Sequence, residues 1–113
     1  MKYKISDEER SFLKNFKNLS IPDIFKDEYF DYMLFVEEVD FYVCEMLLNE
    51  KEITAEDYEW IVSNSSNGYC PCFNDFVKFV DTVRLDKQSQ KYYDSIFQVM
   101  EIFKKFYLKG NKT

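Results

Sequence analysis

The chain has 113 residues and a formal net charge of −6, with 15 basic and 21 acidic side chains and no histidine. Its length suits a single domain, residues 1–113, and its 46% share of hydrophobic residues supplies a buried core and argues against intrinsic disorder. A chain without histidine has no Ser-His-Asp or Cys-His pair, no imidazole base and no His-ligated zinc. We therefore expect a protein that is not an enzyme.

Hydrophobic residues recur at spacings of three and four, whereas alternation with a period of two is nearly absent. This pattern predicts an all-α fold, a single compact bundle of about five helices. The first predicted helix covers residues 7–19 and begins with a capping box, in which Ser6 and Glu9 each accept a hydrogen bond from the backbone N–H of the other. Pro22 disfavours continuation of that helix, which leaves residues 20–26 as a connection.

The second predicted helix, residues 27–49, is apolar around most of its circumference, so we expect it to be the hub of the bundle. Its inward side is predicted to carry Tyr29, Tyr32, Val36, Val39, Val43 and Leu47. Its outward side is predicted to carry an acidic stripe, which consists of Asp27, Asp31, Glu38 and Glu45. Their spacing keeps these carboxylates within about 40° of one another around an ideal helix.

Two shorter helices are predicted at residues 54–63 and 74–84, and a fifth follows residue 88 and continues to about residue 109. Thr54 and Asp57 form a variant capping box at the third helix, and Gly110 suits the C′ position after the fifth. The residues predicted to build the core are Phe16, Val36, Val39, Val43, Val80, Ile96, Phe97, Met100 and Phe103.

The acidic residues are concentrated in one part of the chain, because residues 27–60 contain twelve acidic side chains and a single basic one, Lys51. Any helical bundle solvates its outer faces with carboxylates, but such faces usually intersperse lysine with glutamate. Clustered like charge lowers stability through repulsion, so the block also indicates a partner that relieves it. Both interpretations stay open from the sequence.

Trp60 is the only tryptophan and is predicted to lie on the polar side of the third helix, near Glu56 and beside Asp57. Tryptophan is enriched at the centres of protein interfaces, where its large rigid ring fills a pocket on the partner. The alternative is that the ring covers the edge of the core or packs under the loop that follows the helix.

The three cysteines do not form a recognisable cofactor or metal site. The spacing of Cys70 and Cys72 is poor for zinc, and neither a histidine nor a second cysteine pair is available, so we expect no metal, no cofactor and no disulfide. Carboxylate-bridged di-metal bundles need Glu-x-x-His motifs and are excluded for the same reason. With no signal-peptide pattern and no apolar stretch long enough to span a bilayer, the sequence predicts a cytoplasmic protein without membrane contact.

Lysines in the last helix give it a positive bias, but a chain with a pI near 4.7 would bring its acidic block against the phosphates. We therefore expect no direct binding of nucleic acid. Solvation and the helix dipole account for these lysines.

The run from Leu48 to Trp60, with its Ile53-Thr54-Ala55-Glu56 phrase before an acidic helix, resembles the helix–turn–helix joint of colicin-D-like immunity proteins. Small, acidic, helical chains of this kind also resemble immunity proteins of contact-dependent growth inhibition. The resemblance implies a single-chain protein that binds a cationic toxin domain, often a nuclease. It also implies that carboxylates stand in for phosphates in the substrate groove of that toxin.

We therefore expect an acidic protein inhibitor, an immunity protein whose partner is a basic nuclease toxin domain. The predicted partner-binding residues are Asp27, Asp31, Glu38, Glu45, Glu56, Asp57, Glu59 and Trp60. The alternative is an acidic DNA mimic, encoded by a phage or mobile element, that inhibits a host nucleic-acid-binding or defence protein. A third class, a helical adaptor or oligomeric structural protein, would show a self-complementary apolar face and little salt dependence.

Overall fold

Helices make up nearly all of the secondary structure in the computed structural model, which describes residues 3–65 and 73–112. The described residues form helices α1 (Asp7–Phe16), α2 (Phe30–Leu48), α3 (Ala55–Asn64), α4 (Phe73–Thr82) and α5 (Lys87–Leu108). A short 3-10 helix, Asp23–Phe25, precedes α2. The all-α prediction of about five helices is confirmed. Among the helices of the described residues, none combines the length and apolar character needed to cross a membrane.

The start of α1 is fixed by the predicted capping box. The Ser6 hydroxyl accepts from the Glu9 backbone N–H at 3.1 Å, and the Glu9 carboxylate accepts from the Ser6 N–H at 3.0 Å. The helix ends at Phe16, three residues earlier than predicted. The N–H of Asn18 bonds to the carbonyl of Asn15, a three-residue spacing that tightens the last turn and ends the α-helical pattern.

The start of α2 differs from the prediction for a tertiary reason. Phe25 is fully buried, with its ring 5.6 Å from that of Phe76 and 6.0 Å from that of Tyr92. The chain reaches this site through the 3-10 helix and a turn, so α2 begins only at Phe30. Asp27 consequently lies in the turn, and its predicted place on the helical acidic stripe is wrong.

The end of α2 sets the direction of α3. The N–H groups of Glu50 and Lys51 bond to the carbonyls of Leu47 and Met46 at 3.0 Å each, the pattern of a Schellman motif. Glu50 takes the left-handed conformation that this motif requires, with φ of 49°. Four residues later the Thr54 hydroxyl accepts from the Asp57 N–H at 3.1 Å and caps α3, which then packs against α2.

The core lies mainly between α2 and α5, and α1 and α3 also pack against α2, so α2 is the hub of the described residues. Seven of the nine predicted core residues are buried. Val80 and Phe97 are only partly buried and pack against the core from its edge. The anchor of α4 is Phe76, whose ring is fully buried, and Phe97 packs at the edge of the core against Tyr93.

Glu9 ties the N-terminal segment to α5. Its carboxylate accepts from the Tyr3 hydroxyl at 2.7 Å and lies 2.7 Å from the Lys105 ammonium. Partial burial alone would raise the pKa of Glu9, but hydrogen bonds from Lys105, Ser6 and Tyr3 outweigh burial and lower that pKa from 4.5 to about 2. The stability that Glu9 contributes is therefore present above about pH 4.5 and is lost as the pH falls towards 2.

We expect Glu9→Gln to lower the free energy of unfolding by about 2 kcal/mol at pH 7, because the charged hydrogen bonds are lost. The difference from the wild-type protein should shrink between pH 5 and pH 2, which urea denaturation at several pH values would measure. Glu8→Gln, an exposed neighbour in the same helical turn, is the control and should change stability little. A Glu9→Gln loss that is equal at pH 7 and pH 3 would contradict the assignment.

Candidate functional site

A groove of about 350 Å³ runs between α2 and α3. We call it the α2–α3 groove. It is lined by Phe35, Glu38, Val39, Tyr42, Asp57, Trp60 and Ile61. Its volume falls within the range of ligand-binding clefts, and its lining mixes aromatic rings with two carboxylates.

The floor of the α2–α3 groove is apolar, and its walls are exposed aromatic rings. Val39 and Ile61 are buried and hold the two helices together beneath the groove. Phe35, Tyr42 and Trp60 keep 44%, 51% and 56% of their surfaces exposed. Rings of this size in one groove form a concentrated apolar surface, which soluble proteins commonly use for recognition.

Glu38 and Asp57 supply the carboxylates of the groove, one from each helix. Asp57 is in the first turn of α3, where the capping bond from its backbone fixes its position and the helix dipole favours a negative charge. No ion pair reaches either carboxylate from a basic side chain in residues 3–65 or 73–112. The groove is therefore negatively charged and open to solvent.

The structure brings three of the eight predicted partner-binding residues together in this groove, namely Glu38, Asp57 and Trp60. Asp31 is exposed on the same outward face of α2, nearly two turns before Glu38, and Glu56 is exposed beside the groove on α3. These two carboxylates extend the negative surface without lining the groove.

The other three predicted residues lie elsewhere. Glu45 lies about two turns after Glu38 along α2. It forms an ion pair with Lys17 at the end of α1, which neutralises its charge. Glu59 is exposed, but on an ideal helix it lies about 160° around the axis of α3 from Asp57. Asp27 lies in the turn before α2. The groove therefore does not include these residues.

Sequence reasoning missed Tyr42 and did not assign Phe35 to a site. The two rings lie seven residues apart on α2, with Glu38 between them and within one turn of each. This spacing places all three side chains on one face of the helix, so a search for an aromatic pair flanking the acidic stripe would have found them.

Asp40 is a further unpredicted feature, because it is a carboxylate with no exposed surface on the inner face of α2. Neither of its oxygens has a hydrogen-bond partner among the described residues. Burial, and secondarily the nearby charge of Glu37, raise the pKa of Asp40 well above its usual value. Cys44, one turn further along α2, is also buried, and burial chiefly raises the pKa of its thiol to about 12. A thiol held in that state is a poor nucleophile.

We expect Asp40→Asn to raise the free energy of unfolding by about 2 kcal/mol at pH 8, because burial makes ionisation of this side chain more costly in the folded protein than in the unfolded chain. Because folding raises the pKa of Asp40, the wild-type protein is most stable below the pKa of this group in the unfolded chain, near 3.8. It loses stability as the pH rises above that value. The gain from Asp40→Asn should therefore shrink as the pH falls to 4.

Guanidinium or urea denaturation at pH 4, 6 and 8 would measure this dependence, with Asp81→Asn on the exposed face of α4 as the matched control. If Asp40→Asn instead destabilises the protein equally at all three pH values, the Asp40 carboxylate is ionised and hydrogen-bonded in the folded protein, which would contradict this account.

Metal ligands are not gathered anywhere in the described part of the chain, where no group of three or more histidine, cysteine or acidic side chains could hold an ion. Cys70 and Cys72, the pair considered from the sequence, lie outside the described residues. Cys44 is a free thiol.

Comparison of the chain with protein-family models, with curated proteins and with solved structures finds no match. The features that bear on function are therefore the α2–α3 groove, its aromatic rings and the charges around it.

Proposed function

We propose that the protein is an acidic inhibitor that binds a basic protein through the α2–α3 groove, and that it acts as an immunity protein against a nuclease toxin. The observation that carries this proposal is the combination, in one groove, of three exposed aromatic rings with two carboxylates that have no ion pair among the described residues. Each component has a defined role in recognition of a protein.

The aromatic rings favour a protein partner. Tryptophan and tyrosine dominate the binding energy of protein interfaces, because their rings bury a large area and lose little conformational entropy. Trp60 and Tyr42 are each more than half exposed on opposite walls of the groove, while the buried side chains of Val39 and Ile61 form its floor. Such a surface presents anchors that are already positioned in the unbound protein.

The charges favour a basic partner. Glu38 and Asp57 face the groove, and Asp31 and Glu56 extend the negative surface on either helix. Complementary fields of this kind accelerate association and exclude acidic partners. Fast capture is valuable to an inhibitor of a toxin, since binding must precede damage.

A nuclease is the basic partner that we favour, because its substrate groove is lined with cations that bind phosphates. Carboxylates of this protein would occupy that groove and exclude the nucleic acid. A DNA mimic would use the same electrostatics. The exposed rings that line the groove with the carboxylates have no counterpart among phosphates, and they favour recognition of one particular protein.

Trp60→Ala is expected to raise the rate of dissociation from the partner by a factor of about 30, equivalent to about 2 kcal/mol, with little change in the association rate. Surface plasmon resonance would measure both rates. Leu108→Ala, at an exposed position on α5, is the control and should leave both rates unchanged. Equal dissociation rates for the Trp60→Ala variant and the wild-type protein would show that Trp60 does not contribute to binding of the partner.

The function is tested with the genes that adjoin the coding sequence, expressed singly and together with it in a bacterial host. We expect one neighbour whose product is basic, cleaves nucleic acid and stops growth, and whose toxicity is relieved by co-expression of this protein. A neighbouring nuclease that stays active with equimolar purified protein would contradict the proposal. Capture and inhibition of a host defence nuclease instead would support the DNA-mimic alternative.

A further inference from the structure

We infer that the α2–α3 groove is a receptor for one arginine side chain of the partner, with the guanidinium held between Trp60 and the carboxylates of Glu38 and Asp57. This inference deepens the proposed function and rests on it, since the arginine belongs to the basic protein that is inhibited. It assigns a chemical specificity to the groove that charge complementarity alone does not provide.

The lining of the groove excludes other ligand classes. An anion would be repelled by the two carboxylates, which have no basic partner among the described residues. A purely apolar side chain would cover the rings of Phe35 and Trp60 but would remove water from the carboxylates without replacing their hydrogen bonds. A ligand that satisfies the whole lining must combine a positive charge with an apolar surface.

Arginine meets this requirement better than lysine. Its guanidinium is planar and weakly hydrated, so it stacks on an aromatic face while its edge donates paired hydrogen bonds to carboxylates. The ammonium of lysine is a compact and strongly hydrated charge that pairs with a carboxylate but does not stack. The methylene stem of arginine would lie over the apolar floor formed by Val39 and Ile61.

Both helices contribute side chains that would contact the arginine. Glu38 and the rings of Phe35 and Tyr42 come from α2, whereas Asp57 and Trp60 come from α3. One long side chain entering between the helices would therefore contact both walls together. The volume of about 350 Å³ lies near the lower end of ligand clefts and suits one side chain better than a folded segment.

The test uses the purified chain and a short probe, an acetylated Gly-Arg-Gly amide, with the fluorescence of Trp60 as the signal, since it is the only tryptophan. At low salt we expect saturable binding with a dissociation constant of about 1–5 mM, in line with a single cation–π and ion-pair contact. The lysine analogue should bind at least threefold more weakly. The citrulline analogue, which has nearly the shape of arginine without its charge, should give no saturable change.

Two double variants with the same change in net charge locate the site. Glu38→Gln with Asp57→Asn should weaken binding of the arginine probe by at least fivefold, because both groove carboxylates are neutralised. Glu28→Gln with Glu101→Gln removes two exposed charges outside the groove and should leave binding within twofold of the wild-type protein. Thermal melting of each variant verifies that the fold is retained.

Several outcomes would overturn the inference. Absence of saturable binding up to about 20 mM probe, equal binding of the arginine and lysine probes, or equal weakening by both double variants would each do so. Inhibition of a basic nuclease that persists in the groove variant would overturn the arginine assignment and the part of the groove carboxylates in binding, and would leave the immunity role intact. Specific arginine binding by a chain that inhibits no adjacent nuclease would support the groove chemistry and contradict the proposed function.

Discussion

Reversing the charges of the groove, with Glu38→Lys and Asp57→Lys together, should slow association with the basic partner by a factor of about 10–100 at low salt. The two lysines replace an attractive potential at the docking site with a repulsive one. Relief of repulsion among the neighbouring carboxylates should raise stability, whereas a lysine in the first turn of α3 opposes the helix dipole, so the melting temperature should change little. Stopped-flow mixing across a salt series would measure the association rate.

The salt series separates local attraction from the effect of net charge. Association of the wild-type protein should slow steeply as salt rises, whereas that of the reversed variant should depend weakly on salt. Glu28→Lys with Glu101→Lys makes the same change in net charge at exposed positions outside the groove and should slow association by less than about threefold. Equal slowing by the two double variants would show that the groove has no special part in capture.

Truncation of Met100 to alanine should lower the free energy of unfolding by about 3 kcal/mol, the largest stability effect that we expect. Met100 has no exposed surface, and its helix α5 packs along α2, where Val43 is equally buried. Removing the thioether leaves a cavity at the centre of the bundle, which the surrounding side chains fill only in part. Urea denaturation with an unchanged m-value would report this loss.

Leu108→Ala is the matched control on the same helix, because Leu108 is 68% exposed and its truncation should change stability by less than about 0.5 kcal/mol. A loss below 1 kcal/mol for Met100→Ala would contradict the packing of α5 against α2. Val43→Ala, from the other side of the seam, should give a smaller loss of about 2 kcal/mol because fewer atoms are removed.

The helices were predictable where their signals are local. Ser6 and Thr54 cap α1 and α3 at the predicted positions, and Gly110 has the positive φ of 107° expected of the residue that follows a helix end. The start of α2 was not predictable, because it depends on burial of Phe25 against Phe76, about 50 residues away in the sequence. Local propensity contains no information about such a contact.

The candidate site was predictable in part. Charge density and helical spacing selected Glu38, Asp57 and Trp60, which the groove brings together. Tyr42 lies in the groove because of the way α3 packs against α2, and the sequence does not show which side of α2 this packing leaves exposed. Asp40 had a local signal that was overlooked, since its spacing from Val36 and Val43 places it on the buried face of α2.

The measurement that tests the central claim most directly is ¹⁹F NMR of the chain with 5-fluorotryptophan at Trp60, titrated with the basic partner. As the only tryptophan, Trp60 gives one resonance, which reports on the α2–α3 groove alone. We predict that this resonance shifts, saturates at one partner per chain and loses its sensitivity to a soluble paramagnetic quencher. A resonance that keeps its position and its quencher sensitivity while the partner is fully bound would contradict recognition through the groove.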